Sequence, residues 1–404
     1  MYKRRYLEDI IVKLHKGCKV LYLAGPRQVG KTTLLKHLSK TIGMNYVSLD
    51  DLSIRKLAQE DPQLFLQNYS APLLIDEVQY APQLFPYIKI NVDNTDKNGR
   101  YWLTGSQQFS IMKNVKESLA GRIGIVNLLG FSVAEDRQLP GNKSPFTPSA
   151  KNLNEKPIDV KKLFKIIHRG SFPLLTHKNH PPLDVFYNSY LQTYIDRDLR
   201  EIFHISKISS FHKFLQLCAA RTGQLLNYSD LARDADISVN AAKDWINILT
   251  ASFQIYLLEP YYKNISKRMI KSPKLYFLDT GLAAYLTRWK TPETLYHGAM
   301  VGAFYETFVV TEIIKSYWYH GQEAPIYYYR DKEGHEIDVL IERDNILFPV
   351  EIKLASAFHK RDLKNISYFR ERFSGVGKGA IVSLSPRRIP IDRENDVIPS
   401  CMIS

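Results

Sequence analysis

Eight residues, Gly25-Pro26-Arg27-Gln28-Val29-Gly30-Lys31-Thr32, have the types and spacing to hold phosphate. They fit G-x-x-x-x-G-K-[ST], with an apolar run, CKVLYLA, before them and a helical pattern, KTTLLKHLSK, after. The two glycines let the backbone wrap an anion and aim its N–H groups inward. A helix starting near Lys31 adds the positive end of its dipole. Lys31 then reaches the β- and γ-phosphates, and Thr32, with Thr33 beside it, offers a hydroxyl to Mg²⁺. Further along, APLLIDEVQYAP is an apolar run ending in Asp76-Glu77. At the carboxyl edge of a buried parallel strand, Asp76 would hold the Mg²⁺ shell and Glu77 would act as general base toward water. RYWLTGSQQFS places Ser106 where a polar group would touch the γ-phosphate or orient the water. Arg122 has two readings: a charge supplied to a neighbouring protomer's transition state, or an ordinary ion-paired arginine.

A second constellation lies near the other end. GHEIDVLIERDNILFPVEIK alternates like the two strands of a hairpin, yet brings Glu336, Asp338, Glu351 and Lys353 close together. Glu351 and Lys353, two apart, share one face of their strand. Glu306 sits among apolar residues of the helical stretch VGAFYETFVVTEIIKSYWYH. Ionisable groups converging in an α/β core are costly unless paired or bound to metal. One reading is a divalent-metal site: Asp338, Glu351, Glu306 and the Ile352 carbonyl would hold Mg²⁺ or Mn²⁺, with Lys353 catalytic. The other is a core ion pair of Lys353 with Asp338 or Glu351.

These groups need elements to position them. Strands at KVLYLAG, NYVSLDD, PLLIDE, RYWLTGS and RIGIVNL alternate with helical segments, which predicts a parallel sheet with helices on both faces. Residues 136–160 are rich in Pro, Asn, Ser and Lys and read as a linker. Then RTGQLLNYSDLARDADISVNAAKDWINILT predicts a helix capped by Ser229, a turn at Asp236-Ile237-Ser238, and a second helix from Val239 to about Thr250. Asn240, Lys243 and Asn247 are its candidate base readers. A two-stranded wing would follow, carrying Lys263, Lys267, Arg268, Lys271 and Lys274 toward a nucleic-acid backbone. PIYYYRDKEGHEIDVLIER predicts one strand and ILFPVEIKL the next. The boundaries drawn are 1–135 for the phosphate-binding domain, 136–160 for the linker, 161–290 for a helical and winged-helix region, and 291–404 for a C-terminal α/β domain.

Bulk properties set the limits. The chain has 404 residues, 45% hydrophobic and 24% charged, enough for several cores. A net charge of +14 suits an anionic partner such as DNA. Cys18, Cys218 and Cys401 match no disulfide or metal spacing and read as free thiols of a reducing compartment. No run of about 18 apolar residues appears, so no membrane span and a cytoplasmic setting are expected.

GPRQVGKTT, LLIDEVQ, LTGSQQ and SLAGR together resemble a group of bacterial and archaeal AAA-type ATPases with a C-terminal domain of formerly unknown function. RGSFPLL, YIDRDLR, RTGQLLN, KSPKLYFLDTGL and GHEIDVLI extend the likeness over nearly the whole chain. The resemblance implies ATP binding and hydrolysis, with the Gly25–Thr33 segment, Asp76, Ser106 and Arg122 around the nucleotide. The layout helix-Glu306, strand-Asp338, then Glu351-x-Lys353 resembles the PD-(D/E)XK nucleases, although Ile337 stands where a proline is often found before Asp338. The expected architecture is therefore a P-loop NTPase sheet, a helical and winged-helix region, and a nuclease-like α/β domain. Two functions are expected from it: an ATP-driven motor or switch on nucleic acid, acting as a homo-oligomer where Arg122 serves a neighbouring protomer, with nuclease chemistry, or a nucleotide-dependent protein-interaction switch with an inactive nuclease-like domain.

Overall fold

The computed structural model of the protein describes residues 2–105, 118–150, 156–193, 208–262 and 271–404. The chain forms two compact units. The first comprises Met1–Gly130 with Ala251–Phe253 and Trp318–Gln322; the second holds the remainder.

The first unit is built on five parallel strands: β1 (Val20–Ala24), β2 (Asn45–Ser48), β3 (Leu73–Asp76), β4 (Tyr101–Thr104) and β5 (Ile123–Asn127). Their order is β2-β3-β4-β1-β5, which places β1 at the crossover that α/β sheets use for ligands. All residues of β1, β3 and β4 are buried, the reason they read as unbroken apolar runs. The helices are α1 (Leu7–Gly17), α2 (Lys31–Ile42), α3 (Leu52–Glu60), α4 (Pro62–Asn68) and α5 (Leu84–Asp93). α2 buries Leu34, Leu35 and Leu38 at helical spacing. Short polar residues start the next two: Asp51 accepts the N–H groups of Ser53 and Ile54, and Asp61 accepts that of Leu64 with Pro62 in the first turn.

The second unit opens with helices Val160–Arg169, Leu183–Leu191 and Ile208–Ala220. Helices Tyr228–Ala235 and Val239–Ala251 follow, separated by a turn in which Asp236 takes the left-handed conformation, φ 57°. The first of this pair is capped by Asn227, whose side chain accepts from Ser229 and Asp230, and not by Ser229 as the sequence suggested. Three antiparallel strands, β6 (Gln224–Leu225), β7 (Ile255–Leu258) and β8 (Lys274–Phe277), lie in the order β6-β8-β7.

The same unit carries a mixed six-stranded sheet of β9 (Ile326–Arg330), β10 (Glu336–Arg343), β11 (Ile346–Lys353), β12 (Gly379–Ser383), β13 (Ile389–Pro390) and β14 (Asn395–Pro399), ordered β13-β14-β12-β11-β10-β9. β10 and β11 are the hairpin that the alternation predicted. Its turn is Asp344-Asn345, both left-handed (φ 53° and 61°), the residue types and geometry that match strand twist. The single strand expected over PIYYYRDKEGHEIDVLIER is instead two. Asp331 breaks it by accepting the N–H groups of Glu333 and His335, each at 2.9 Å.

Candidate functional site

In the first unit the phosphate loop runs from the end of β1 into α2. Gly25 has φ 149°, and a Cβ there would lie 2.0 Å from the Leu128 carbonyl oxygen, so no side chain fits. Gly30, φ 91°, is the N-cap of α2. Between them Pro26 and Val29 are buried, Arg27 is half-buried and Gln28 is exposed with φ 61°. The Lys31 ammonium donates to the Gly25 and Pro26 carbonyls at 2.9 and 2.7 Å. Burial pushes its pKa down to about 8, against the opposing pull of the Glu77 carboxylate. Thr33 is exposed on α2.

β3 delivers Asp76 to the same edge. Asp76 Oδ1 accepts the Thr32 hydroxyl at 3.0 Å, and Oδ2 accepts the Tyr46 hydroxyl at 3.2 Å. Burial raises the Asp76 pKa, and those two hydrogen bonds oppose the rise. Glu77 follows in the left-handed region, φ 56°, and its Oε2 accepts the Gln79 amide. Tyr46 and Gln79 escaped sequence reasoning; DEVQ held Gln79 in view but gave it no task. So did Arg5, which is buried and donates to the Val29 carbonyl of the loop at 3.1 Å. Arg122 forms a fork on Asp93, with Nη2 3.0 Å from Oδ2, and its Nη1 donates to the Ala120 carbonyl. Ser106 lies outside the described residues.

In the second unit the hairpin register Val339↔Val350 sets Asp338 beside Glu351. Asp338 Oδ2 accepts the Ile352 N–H at 2.7 Å. Burial pushes the Asp338 carboxyl up to about 8, helped by the nearby Glu351 and Glu306 carboxylates. Glu351 is buried; Lys353 Nζ meets its Oε2 at 2.9 Å, while Oε1 has no hydrogen-bond partner among the described residues. Burial raises the Glu351 pKa and the Lys353 ammonium restrains it.

Glu306, Asp338 and Glu351, the expected metal triplet, are near one another, but among the described residues their ligand atoms do not all lie within 4.8 Å of one another. Among the described residues, the His, Cys, Asp or Glu group whose ligand atoms all lie within 4.8 Å of one another is Asp331, Glu333 and His335. Glu306 is met by Lys274 instead. Rather than standing exposed on a basic wing, this lysine is buried on β8, with Nζ 3.3 Å from Glu306 Oε1 and 2.5 Å from Glu336 Oε1. The Tyr276 hydroxyl donates to the same Glu306 oxygen at 2.6 Å. Burial lowers the Lys274 pKa, but Glu306, Asp338 and Glu336 outweigh it and the ammonium is held charged. Of the other cations expected on the wing, Lys263, Lys267 and Arg268 lie outside the described residues, and Lys271 is exposed.

Three families match successive parts of the chain: an AAA domain over residues 18–136, a domain of unknown function (DUF8612) over 160–293, and a domain of unknown function (DUF4143) over 301–403. With the loop geometry, the first match defines an ATP-binding AAA-type P-loop ATPase domain. Uncharacterized proteins of Mycobacterium tuberculosis and Mycobacterium bovis are each 28% identical over 345 residues, covering 85% of this chain and 72% of theirs. Among solved structures, the chain is similar to the Walker-type ATPase PABY2304 of Pyrococcus abyssi, at 15% identity over 71% of this chain and 96% of that one, TM-score 0.43. It is also similar to the RuvB Holliday junction branch migration motor of Thermotoga maritima, at 14% identity over 62% and 88%, TM-score 0.31. At such identities and scores no function passes from either. Among the described residues no helix is long and apolar enough to cross a membrane.

Proposed function

We propose that the protein is a Mg²⁺-dependent ATPase that uses its nucleotide cycle as a switch. The observation that carries this is the buried Lys31 ammonium resting on the Gly25 and Pro26 carbonyls, beside the Thr32–Asp76 pair. The loop N–H groups from Gly25 to Gly30 would cradle the phosphates, and Lys31 would turn from the two carbonyls to the β- and γ-oxygens. Thr32 and Asp76 fit a divalent ion: a hydroxyl and a buried carboxylate already meet there, and the ion would neutralise phosphate charge. Glu77 would take the proton of the attacking water. Ser106 would contact the γ-phosphate, and Arg122 would serve a neighbouring protomer once freed from Asp93. The experiment is a pair of variants followed by calorimetry and phosphate release. Lys31→Ala should lose nucleotide affinity, and Glu77→Gln should bind ATP but not turn it over. Hydrolysis at the parent rate in both would refute the assignment.

A second reading concerns the partner. Asn240, Lys243 and Asn247 are all exposed on helix Val239–Ala251, and the chain carries a charge of +14. This favours a winged-helix region at 161–290 that contacts DNA, followed at 291–404 by a nuclease-like domain. DNA binding that weakens steeply with salt and drops in Lys243→Glu supports it. Binding unaffected by either leaves the protein-interaction switch as the function.

A further inference from the structure

The carboxylates Glu306, Glu336, Asp338 and Glu351 all belong to the second unit, and of the two lysines among them Lys353 is part of the hairpin while Lys274 comes from outside it. We propose that the Lys274 ammonium is a built-in counter-cation of this cluster, standing where a divalent ion would stand, so that the cluster takes up no divalent metal.

Three observations carry it. Lys274 is not a surface side chain that happens to lie nearby. β8 is the central strand of its sheet, and Lys274 is registered on both sides, against Leu225 and Leu258. Its side chain is 6% exposed, with Nζ 2.5 Å from Glu336 Oε1 and 3.3 Å from Glu306 Oε1. The ring of Tyr328 covers it, 5.7 Å from the ammonium. Second, each carboxylate already meets a protein donor: Glu306 meets Tyr276 as well as Lys274, Glu336 meets Lys274, Asp338 meets the Ile352 N–H, and Glu351 meets Lys353 through Oε2, its Oε1 alone having no hydrogen-bond partner among the described residues. Third, a divalent ion needs several oxygens within about 2.6 Å of one centre. The ligand atoms of Glu306, Asp338 and Glu351 do not all lie within 4.8 Å of one another among the described residues. The inference depends on these positions and not on the ATPase reading or on DNA contact.

The test titrates Mn²⁺ into the nucleotide-free full chain and reads free Mn²⁺ by electron paramagnetic resonance. Uptake at the phosphate loop is common to all variants and cancels. Lys274→Met should gain one Mn²⁺ site at least tenfold tighter than any that wild type holds at the cluster. Adding Asp338→Asn should remove it again, and Lys274→Arg should behave as wild type. The proposal is overturned if wild type itself holds a Mn²⁺ that Asp338→Asn abolishes, or if Lys274→Met gains none while keeping the wild-type circular dichroism spectrum. Should Lys274→Met not fold, wild type and Asp338→Asn decide alone: equal uptake supports the proposal, and a lost site overturns it.

Discussion

The Thr32 hydroxyl donates to Asp76 Oδ1 across 3.0 Å, which ties the second residue of α2 to the last residue of β3. The two residues stand far apart in sequence and meet because β3 lies two strands from β1 in one parallel sheet. The pair fits a hydrated divalent ion, and the buried carboxylate is the more demanding half. Asp76→Asn keeps the shape and one of the two accepting oxygens but removes the charge. Its ATP turnover should fall about a hundredfold or more, the scale of lost electrostatic stabilisation, and excess Mg²⁺ should not restore it. Steady-state phosphate release across a Mg²⁺ series reads this; turnover at the parent rate at every Mg²⁺ concentration would show that Asp76 has no part in holding the ion.

Glu77 is held in a left-handed backbone conformation with its carboxylate on the Gln79 amide. That conformation is unfavourable for a residue with a side chain by about 1–2 kcal/mol, so the surrounding turn must fix it. Gln79→Ala removes the restraint on the base without touching the phosphate loop. It should lower kcat roughly tenfold, a fraction of what a general base contributes, and leave KM nearly unchanged. Equal losses in kcat and in nucleotide affinity would mean that the turn, not the base, was disturbed.

What the sequence made readable and what it hid follow one physical line. The phosphate loop was legible because its constraint is local: Gly25 must be glycine to clear the Leu128 carbonyl, and Lys31-Thr32 must open the helix. Strands β1, β3 and β4 were legible because burial on both faces leaves an apolar run. The hairpin was legible through its alternation. Lys274 was not. In KNISKRMIKSPK it is one cation in a basic run, and only the fold reveals that it lies against Glu306 and Glu336, far along the chain. The strand break at Asp331 was missed because an acid binding two nearby N–H groups overrides strand periodicity.

Arg5 is 3% exposed, and its guanidinium donates to the Val29 carbonyl at 3.1 Å, the Leu129 carbonyl at 2.8 Å and the Tyr319 hydroxyl at 3.1 Å. Arg5→Met would leave buried carbonyl groups without their donor. Leaving a buried acceptor unsatisfied costs about 1–3 kcal/mol, so the urea midpoint of the first unit should drop clearly. ATP affinity should fall with it, since Val29 belongs to the loop. Arg5→Lys should not restore either, because a single ammonium cannot reproduce the fork. Rescue by lysine would show that only the charge mattered.

His168 sets a pH dependence of opposite character to a surface histidine. It is buried, and its Nε2 lies 2.8 Å from the Trp289 carbonyl, which can only accept, so the neutral ring carries its proton on Nε2. Burial holds its pKa below the usual 6.5, and the Trp289 carbonyl, Glu293 and Asp184 resist that shift without reversing it. The sign follows directly. Below about pH 6.5 the unfolded chain takes up a proton that the folded one refuses. The stabilising contribution is therefore complete above that pH and is lost as pH falls through the lowered folded value. In His168→Gln, which keeps an N–H donor and does not titrate, the pH slope of the second unit's unfolding free energy between pH 7 and 5 should flatten. The change can reach at most one proton, about 1.4 kcal/mol per pH unit. Carboxylates titrating in the same range are common to both proteins, so the difference in slope belongs to His168, and parallel slopes would show that the buried ring is protonated as easily folded as unfolded.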